Sequence, residues 1–118
     1  TAGKSVELIG HSELQNEIMA YAYEKGKDKR FLYILKAECG DISVECLGPT
    51  DDYGLCQLHY PIHKQFIDSE NFKDWQKQID YCWGVYQDAI SKGRLNTTFY
   101  AVENIDKVKH YFKFYENN

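Results

Sequence analysis

The sequence predicts an α+β domain that is mainly helical and contains one small antiparallel β-hairpin. Apolar residues recur at helical spacing in several segments, beginning in the first third of the chain. Between residues 43 and 58 this pattern gives way to short β-prone pieces on either side of the turn-forming sequence GPTDD. No repeat, low-complexity tract or flexible linker interrupts the 118 residues, so we expect a single domain over residues 1–118.

Two amphipathic helices are predicted near the start of the chain. The stretch SELQNEIMAYAYEKG begins with the capping-box pair Ser12 and Gln15 and stops at Gly26. Its predicted buried face comprises Leu14, Ile18, Tyr21 and Ala22. A second helix is predicted over residues 28–39, because Gly40 then breaks the apolar pattern.

The hairpin and the later helices follow from similar patterns. SVECL and YGLCQL flank GPTDD and predict a hairpin within residues 43–58, after which Pro61 suits the first turn of a short helix carrying Ile62 and Phe66. The strongest helical pattern lies in NFKDWQKQIDYCWGVYQDAISKG and ends before Gly93. Its apolar stripe comprises Trp75, Ile79, Cys82, Trp83, Tyr86 and Ile90. A last helix is predicted to bury Ile105, Val108, Tyr111, Phe112 and Tyr115.

Charge and cysteine content limit the possible partners and environment. The net charge is -4, and lysines and acids are interleaved without a basic stripe, so nucleic acid is not an expected partner. No apolar run is long enough to span a membrane. Four cysteines allow three pairings, of which Cys39 with Cys46 would close a short loop and Cys56 with Cys82 would tie a strand to a helix. Buried free thiols are equally compatible with the sequence.

Glu38 occupies a position in the second helix where the pattern requires an apolar residue. It follows Leu35, Ile34 and Phe31 by three, four and seven residues, so it shares their face. Burial there would raise the pKa of the carboxyl group toward neutrality, as a general acid requires. The alternative is a frayed helix end that turns Glu38 into solvent.

The sequence around Glu38 and the hairpin resembles the lysozyme superfamily. KAECG, which contains Glu38, is similar to the ESG of animal-type lysozymes and the ESS of lytic transglycosylases. YGLCQL is similar to the YGILQI and GLMQI strands of these groups, and TDDYG to the TDYG of the animal type. QIDYCWGVYQDAI and FYAVENIDKVKHYF resemble later transglycosylase segments, so the resemblance covers residues 28–115. Two residues depart from the pattern, since Cys39 replaces a serine and Ala101 an asparagine.

The resemblance implies a lysozyme-like fold in which the hairpin forms one wall of a sugar-binding cleft. Glu38 would be the general acid, and a hairpin aspartate would be the second carboxylate. Asp51 and Asp52 should point to opposite faces of a strand, and motif position favours Asp52. The predicted substrate-binding residues are Tyr53, Gly54, Gln57, His59 and Tyr100. Because Pro61 separates His59 from His63, we predict no metal site, and we expect no cofactor.

The function implied by the resemblance is that of a muramidase, a glycosidase that cleaves peptidoglycan outside the cytoplasm. Its substrate would be the β-1,4 bond from N-acetylmuramic acid to N-acetylglucosamine in peptidoglycan or a related amino-sugar polymer. Hydrolysis is favoured because the hairpin offers a second carboxylate. The alternatives are a lytic transglycosylase that forms 1,6-anhydro products and a non-catalytic module that binds glycan or protein. The acidic charge is compatible with delivery by a larger assembly, such as a phage particle.

Overall fold

The computed structural model describes residues 5–115 and shows helices combined with two small antiparallel sheets, which confirms the α+β class. The α-helices are α1 (Glu13–Glu24), α2 (Lys29–Glu38), α3 (Tyr60–Ile67), α4 (Trp75–Ser91) and α5 (Leu95–Thr98). The strands are β1 (Val6–Leu8), β2 (Asp52–Tyr53), β3 (Leu58–His59) and β4 (Phe112–Phe114). Short 3-10 helices cover Glu70–Lys73, Tyr100–Lys107 and Lys109–Tyr111.

The first two helices begin and end close to the predicted positions. The Ser12 hydroxyl accepts a hydrogen bond from the Gln15 backbone N–H, and the Gln15 side chain accepts one from the Ser12 backbone, so the predicted capping box is present. The Asp28 carboxylate accepts a hydrogen bond from the Phe31 N–H and caps α2. The predicted burial of Leu14 is wrong, because this side chain is 53% exposed in the first turn of α1.

Helices α1, α2 and α4 contribute most of the apolar core. Their fully buried side chains include Ile18, Met19, Phe31, Leu32, Ile34, Leu35, Ile79 and Tyr86. The predicted stripe of α4 is confirmed over its central turns, whereas Ile90 in its last turn is 42% exposed. This packing places the last turn of α2, which contains Glu38, next to the core.

The hairpin exists, but its strands are displaced from the prediction. Asp52 pairs with His59 and Tyr53 with Leu58, so the connecting turn is GLCQ rather than GPTDD. Of the predicted first strand, only Leu47 forms an isolated bridge, to Tyr53. The preceding residues form turns that bring Cys46 to Cys39, which excludes an extended strand there.

The predicted last helix is wrong. Tyr100–Lys107 and Lys109–Tyr111 form 3-10 helices. Phe112–Phe114 form β4, which pairs antiparallel with β1 from Val6 opposite Phe114 to Leu8 opposite Phe112. Extended backbone lets Phe112 and Phe114 stack at 5.9 Å while Phe112 joins the core. This second sheet was not predicted.

Both cysteine pairs form disulfides, Cys39 with Cys46 and Cys56 with Cys82. The four cysteines are therefore paired and are not free thiols. The two bonds indicate an oxidising environment outside the cytoplasm. Within residues 5–115, none of the helices combines the length and the apolar character needed to cross a lipid bilayer.

Candidate active site

Glu38 lies in the last turn of α2 and is partly buried. Its pKa is raised to about 7, first by burial and second by the negative charge of Asp52, while a hydrogen bond from the Ala101 backbone lowers the pKa slightly. The helix is regular through Glu38, so the frayed alternative does not apply. Glu38 can therefore hold a proton near neutral pH and release it to a bound molecule.

Asp52 is the hairpin aspartate whose negative charge raises the pKa of Glu38. Its side chain is 19% exposed, and both of its carboxylate oxygens are hydrogen-bonded. Thr50 donates its hydroxyl to Oδ2 at 2.6 Å, and His59 Nδ1 lies 2.9 Å from Oδ1. These contacts fix the orientation of the carboxylate beside Glu38.

The partner of Asp51 is Tyr53. Asp51 is exposed, has a left-handed backbone with φ of 65°, and accepts a hydrogen bond from the Tyr53 hydroxyl at 2.8 Å. This hydrogen bond is the main cause of the raised pKa of the Tyr53 phenol. Of the two candidate aspartates, Asp52 is the one whose charge raises the pKa of Glu38.

A cleft of about 500 Å³ runs beside this pair. Its lining residues from the hairpin side include Thr50, Asp52, Gln57 and His59, and those from the opposite side include Val85, Asp88, Arg94 and Tyr100. Glu38 is not among the residues that line this cleft. It accepts a hydrogen bond from the backbone of Ala101, which follows the lining residue Tyr100, and its pKa responds to the charge of the lining residue Asp52. A volume of this size suits a small ligand or one or two sugar rings.

Three of the five predicted substrate-binding residues line the cleft. Gln57, His59 and Tyr100 do so, and the Tyr100 ring is 78% exposed. Tyr53 instead bonds to Asp51 and is absent from the lining formed by the described residues. Gly54 is buried and is likewise absent from the lining formed by the described residues, so a close approach of a sugar to it stays a prediction.

Gly54 and Gln78 form a buried contact that sequence reasoning missed. A Cβ atom at Gly54 would lie 2.6 Å from Gln78 Oε1, and the backbone there has φ of 86°. Gln78 accepts a hydrogen bond from the Leu55 N–H at 2.9 Å and donates to the carbonyls of Val44 and Phe72. Its place on the apolar stripe of α4, next to Ile79, was the signal that could have identified it.

The two disulfides hold the hairpin segment to helices on both sides. Cys39 directly follows Glu38, and its bond to Cys46 ties the end of α2 to the chain that leads into β2. Cys56 lies in the hairpin turn, and its bond to Cys82 ties that turn to α4. The distance between the acid on α2 and the carboxylate on β2 is therefore covalently restrained.

The two histidines of the cleft have separate partners. His59 bonds to Asp52, and His63 Nδ1 lies 2.8 Å from the Tyr81 hydroxyl. Among residues 5–115, no group of three or more histidines, cysteines and acids is arranged to hold a metal ion. The chemistry that this cleft offers is proton transfer together with the fixed negative charge of Asp52.

Comparisons of the chain with protein-family models, with curated proteins and with solved structures find no match.

Proposed function

We propose that the protein is a peptidoglycan-cleaving glycosidase of lysozyme type, with Glu38 as its general acid. The observation that carries this proposal is the carboxyl pair beside the cleft, in which Glu38 has a pKa of about 7 and Asp52 is held by two hydrogen-bond donors. Cleavage of a glycosidic bond requires one carboxylic acid and one carboxylate in different environments. The pair meets that requirement.

The reaction begins when Glu38 gives its proton to the glycosidic oxygen that leaves C1 of N-acetylmuramic acid. Positive charge then develops on the sugar ring, as in an oxocarbenium ion, and the negative charge of Asp52 stabilises it. Water completes hydrolysis at C1. Because Glu38 is partly buried, its neutral form is favoured before the reaction, and proton transfer is not opposed by strong solvation of its charge.

The remaining cleft residues supply contacts suited to an amino sugar. The Gln57 amide nitrogen donates to the carbonyls of Cys46 and Gly54, so both of its N–H groups are engaged within the protein, and its Oε1 is the atom that would accept from a sugar. The exposed Tyr100 ring offers an aromatic surface for the apolar face of a sugar. These contacts and the resemblance of residues 28–115 to lysozymes support the choice of polymer.

The two disulfides support an extracytoplasmic site of action, as cleavage of peptidoglycan requires. Bacterial cell walls are often anionic, and the net charge of this chain is -4, so electrostatic attraction would not concentrate the protein on them. Delivery by a larger assembly, such as a phage particle, would remove the need for that attraction.

The test replaces Glu38 by Gln, which keeps the size of the side chain and removes its acid function. We expect E38Q to lose at least about 100-fold in the rate of release of soluble fragments from purified peptidoglycan, as is typical for loss of a general acid. The matched control is E17Q, because Glu17 is exposed on α1. Thermal unfolding of both variants checks that they are folded.

The products and the binding of E38Q separate the candidate functions. New reducing ends, measured by mass spectrometry, indicate hydrolysis, whereas 1,6-anhydro ends indicate a lytic transglycosylase. If wild type and E38Q bind peptidoglycan equally and neither releases fragments, the protein is a binding module. If E38Q cleaves as fast as wild type, Glu38 is not the acid.

A further inference from the structure

His59 and Asp52 form a hydrogen-bonded pair between paired strands, on the lining of the cleft. The two residues face each other across β2 and β3, and His59 Nδ1 lies 2.9 Å from Asp52 Oδ1. A carboxylate can only accept hydrogen bonds, so the hydrogen of this contact belongs to Nδ1. In neutral His59 the other ring nitrogen, Nε2, then carries a free lone pair.

Asp52 is poorly placed to attack the sugar itself. Its Oδ1 is held by His59 and its Oδ2 by the Thr50 hydroxyl at 2.6 Å, so each oxygen already accepts a hydrogen bond. These two donors hold the carboxylate in one orientation. Asp52 can act electrostatically from this position without moving, and the bonds to Thr50 and His59 restrict its movement toward a sugar.

His59 is the more accessible member of the pair. Its side chain is 48% exposed, compared with 19% for Asp52, and both residues line the cleft. Within residues 5–115, no hydrogen bond to His59 Nε2 is present, so this nitrogen is available to a water molecule in the cleft. Asp52 from β2 and His63 from α3 interact with His59, and His63 is engaged with Tyr81.

We infer that His59 is the base that activates water in this reaction and that Asp52 positions it, an inference that rests on the proposed function. Water bonds to C1 through its oxygen as its proton passes to His59 Nε2. The bond from C1 to the leaving oxygen breaks, and that oxygen takes the proton of Glu38. Afterwards, exchange with solvent returns a proton to Glu38 and removes one from His59, so the net reaction is hydrolysis.

This arrangement predicts the stereochemistry of the product. Attack by water on the face opposite the leaving group inverts the configuration at C1, whereas a direct attack by Asp52 would form a covalent sugar ester and give retention. NMR spectra recorded immediately after cleavage of a soluble peptidoglycan oligosaccharide report the first anomer formed. Inversion is expected, and retention would overturn the inference.

The decisive variant is His59→Asn. The asparagine amide can replace Nδ1 as a donor to Asp52, but it has no basic nitrogen in place of Nε2. We expect H59N to lose about 100-fold or more in kcat with little change in KM. We expect the smaller variant H59A to recover part of this activity when imidazole is added. The control is H110N, because His110 is exposed and lies outside the cleft lining.

Other outcomes separate this inference from the proposed function. If H59N keeps its activity while E38Q has none, the glycosidase proposal stands and His59 is not the base. If H59A is inactive but imidazole restores nothing, His59 serves only to hold Asp52. If E38Q remains active, the proposed function itself fails, whatever the behaviour of the His59 variants.

Discussion

Glu38 links the chemistry of the cleft to the stability of the protein. Its pKa is about 7 in the folded chain, compared with 4.5 for an unperturbed glutamate, chiefly because burial disfavours the ionised form. Below pH 4.5 the carboxyl group is protonated in both the folded and the unfolded chain. Between pH 4.5 and 7 only the unfolded chain releases the proton, so the free energy of unfolding falls as pH rises through this range.

The first prediction compares wild type with E38Q, which cannot ionise. Relative to E38Q, wild type should lose on the order of 2 kcal/mol of unfolding free energy from pH 4.5 to above pH 7, after allowance for its partial exposure. Urea unfolding of both proteins at pH 5 and pH 8 measures this difference. An unchanged difference at the two pH values would mean that the Glu38 carboxyl is solvated.

The sequence predicted the positions of some site residues better than those of others. Glu38 could be found because helical spacing alone places it beside Leu35 and Ile34, and the fold keeps that helix. The burial of Gly54 was not predicted, because the direction of a hairpin residue depends on where its turn begins. The role of Gln78 was missed because its hydrogen-bond partners cannot be read from local sequence. It donates to the backbone carbonyl of Val44, 34 residues earlier, and to that of Phe72 in a short 3-10 helix.

Helix α4 contains a glycine, Gly84, that lowers its stability. Gly84 lies in the interior of the helix, is exposed, and has no atom within 4 Å of the position that a Cβ would occupy. Glycine costs a helix about 1 kcal/mol relative to alanine, mainly through the entropy of the unfolded chain. Replacement of Gly84 should therefore be free of steric conflict.

The second prediction is that G84A raises the free energy of unfolding by about 0.5–1 kcal/mol. The contrasting variant is G54A, which must adopt φ of 86° and push against the buried Gln78 amide. We expect G54A to lose about 1–3 kcal/mol. Urea unfolding of both variants measures the two changes, and destabilisation by G84A would show that the helix needs glycine at this position.

The elements that local pattern failed to predict depend on distant partners. Tyr111, Phe112 and Tyr115 fit a helical spacing, yet Phe112–Phe114 extends because β1, near the other end of the described chain, offers an edge for pairing. Alternation over three residues is too short to identify a strand by itself. Long helices such as α4 carry their signal within a single segment, and this is why that element was predicted closely.

The two disulfides should contribute unequally to the free energy of unfolding of the whole domain. Their cysteines are separated by 7 and 26 residues. Loop-closure entropy then gives about 2 kcal/mol for the bond between Cys39 and Cys46 and about 3.5 kcal/mol for the bond between Cys56 and Cys82. The shorter link is nevertheless the one adjacent to Glu38.

The third prediction is that the two double variants rank oppositely in stability and in activity. C56A/C82A should lose more unfolding free energy, whereas C39A/C46A should lose more cleavage activity, because the end of α2 is then no longer tied to the hairpin segment. Urea unfolding and peptidoglycan cleavage, measured below each variant's unfolding transition, provide the comparison. Equal activities of the two variants would contradict the positional role of the shorter link.

The pairing of β1 with β4 has a practical consequence for protein engineering. Val6 and Phe114 are directly opposite each other, so the polypeptide enters and leaves the folded unit at neighbouring points. A unit of this kind can be grafted into a surface loop of a host protein while both halves of the host remain close together.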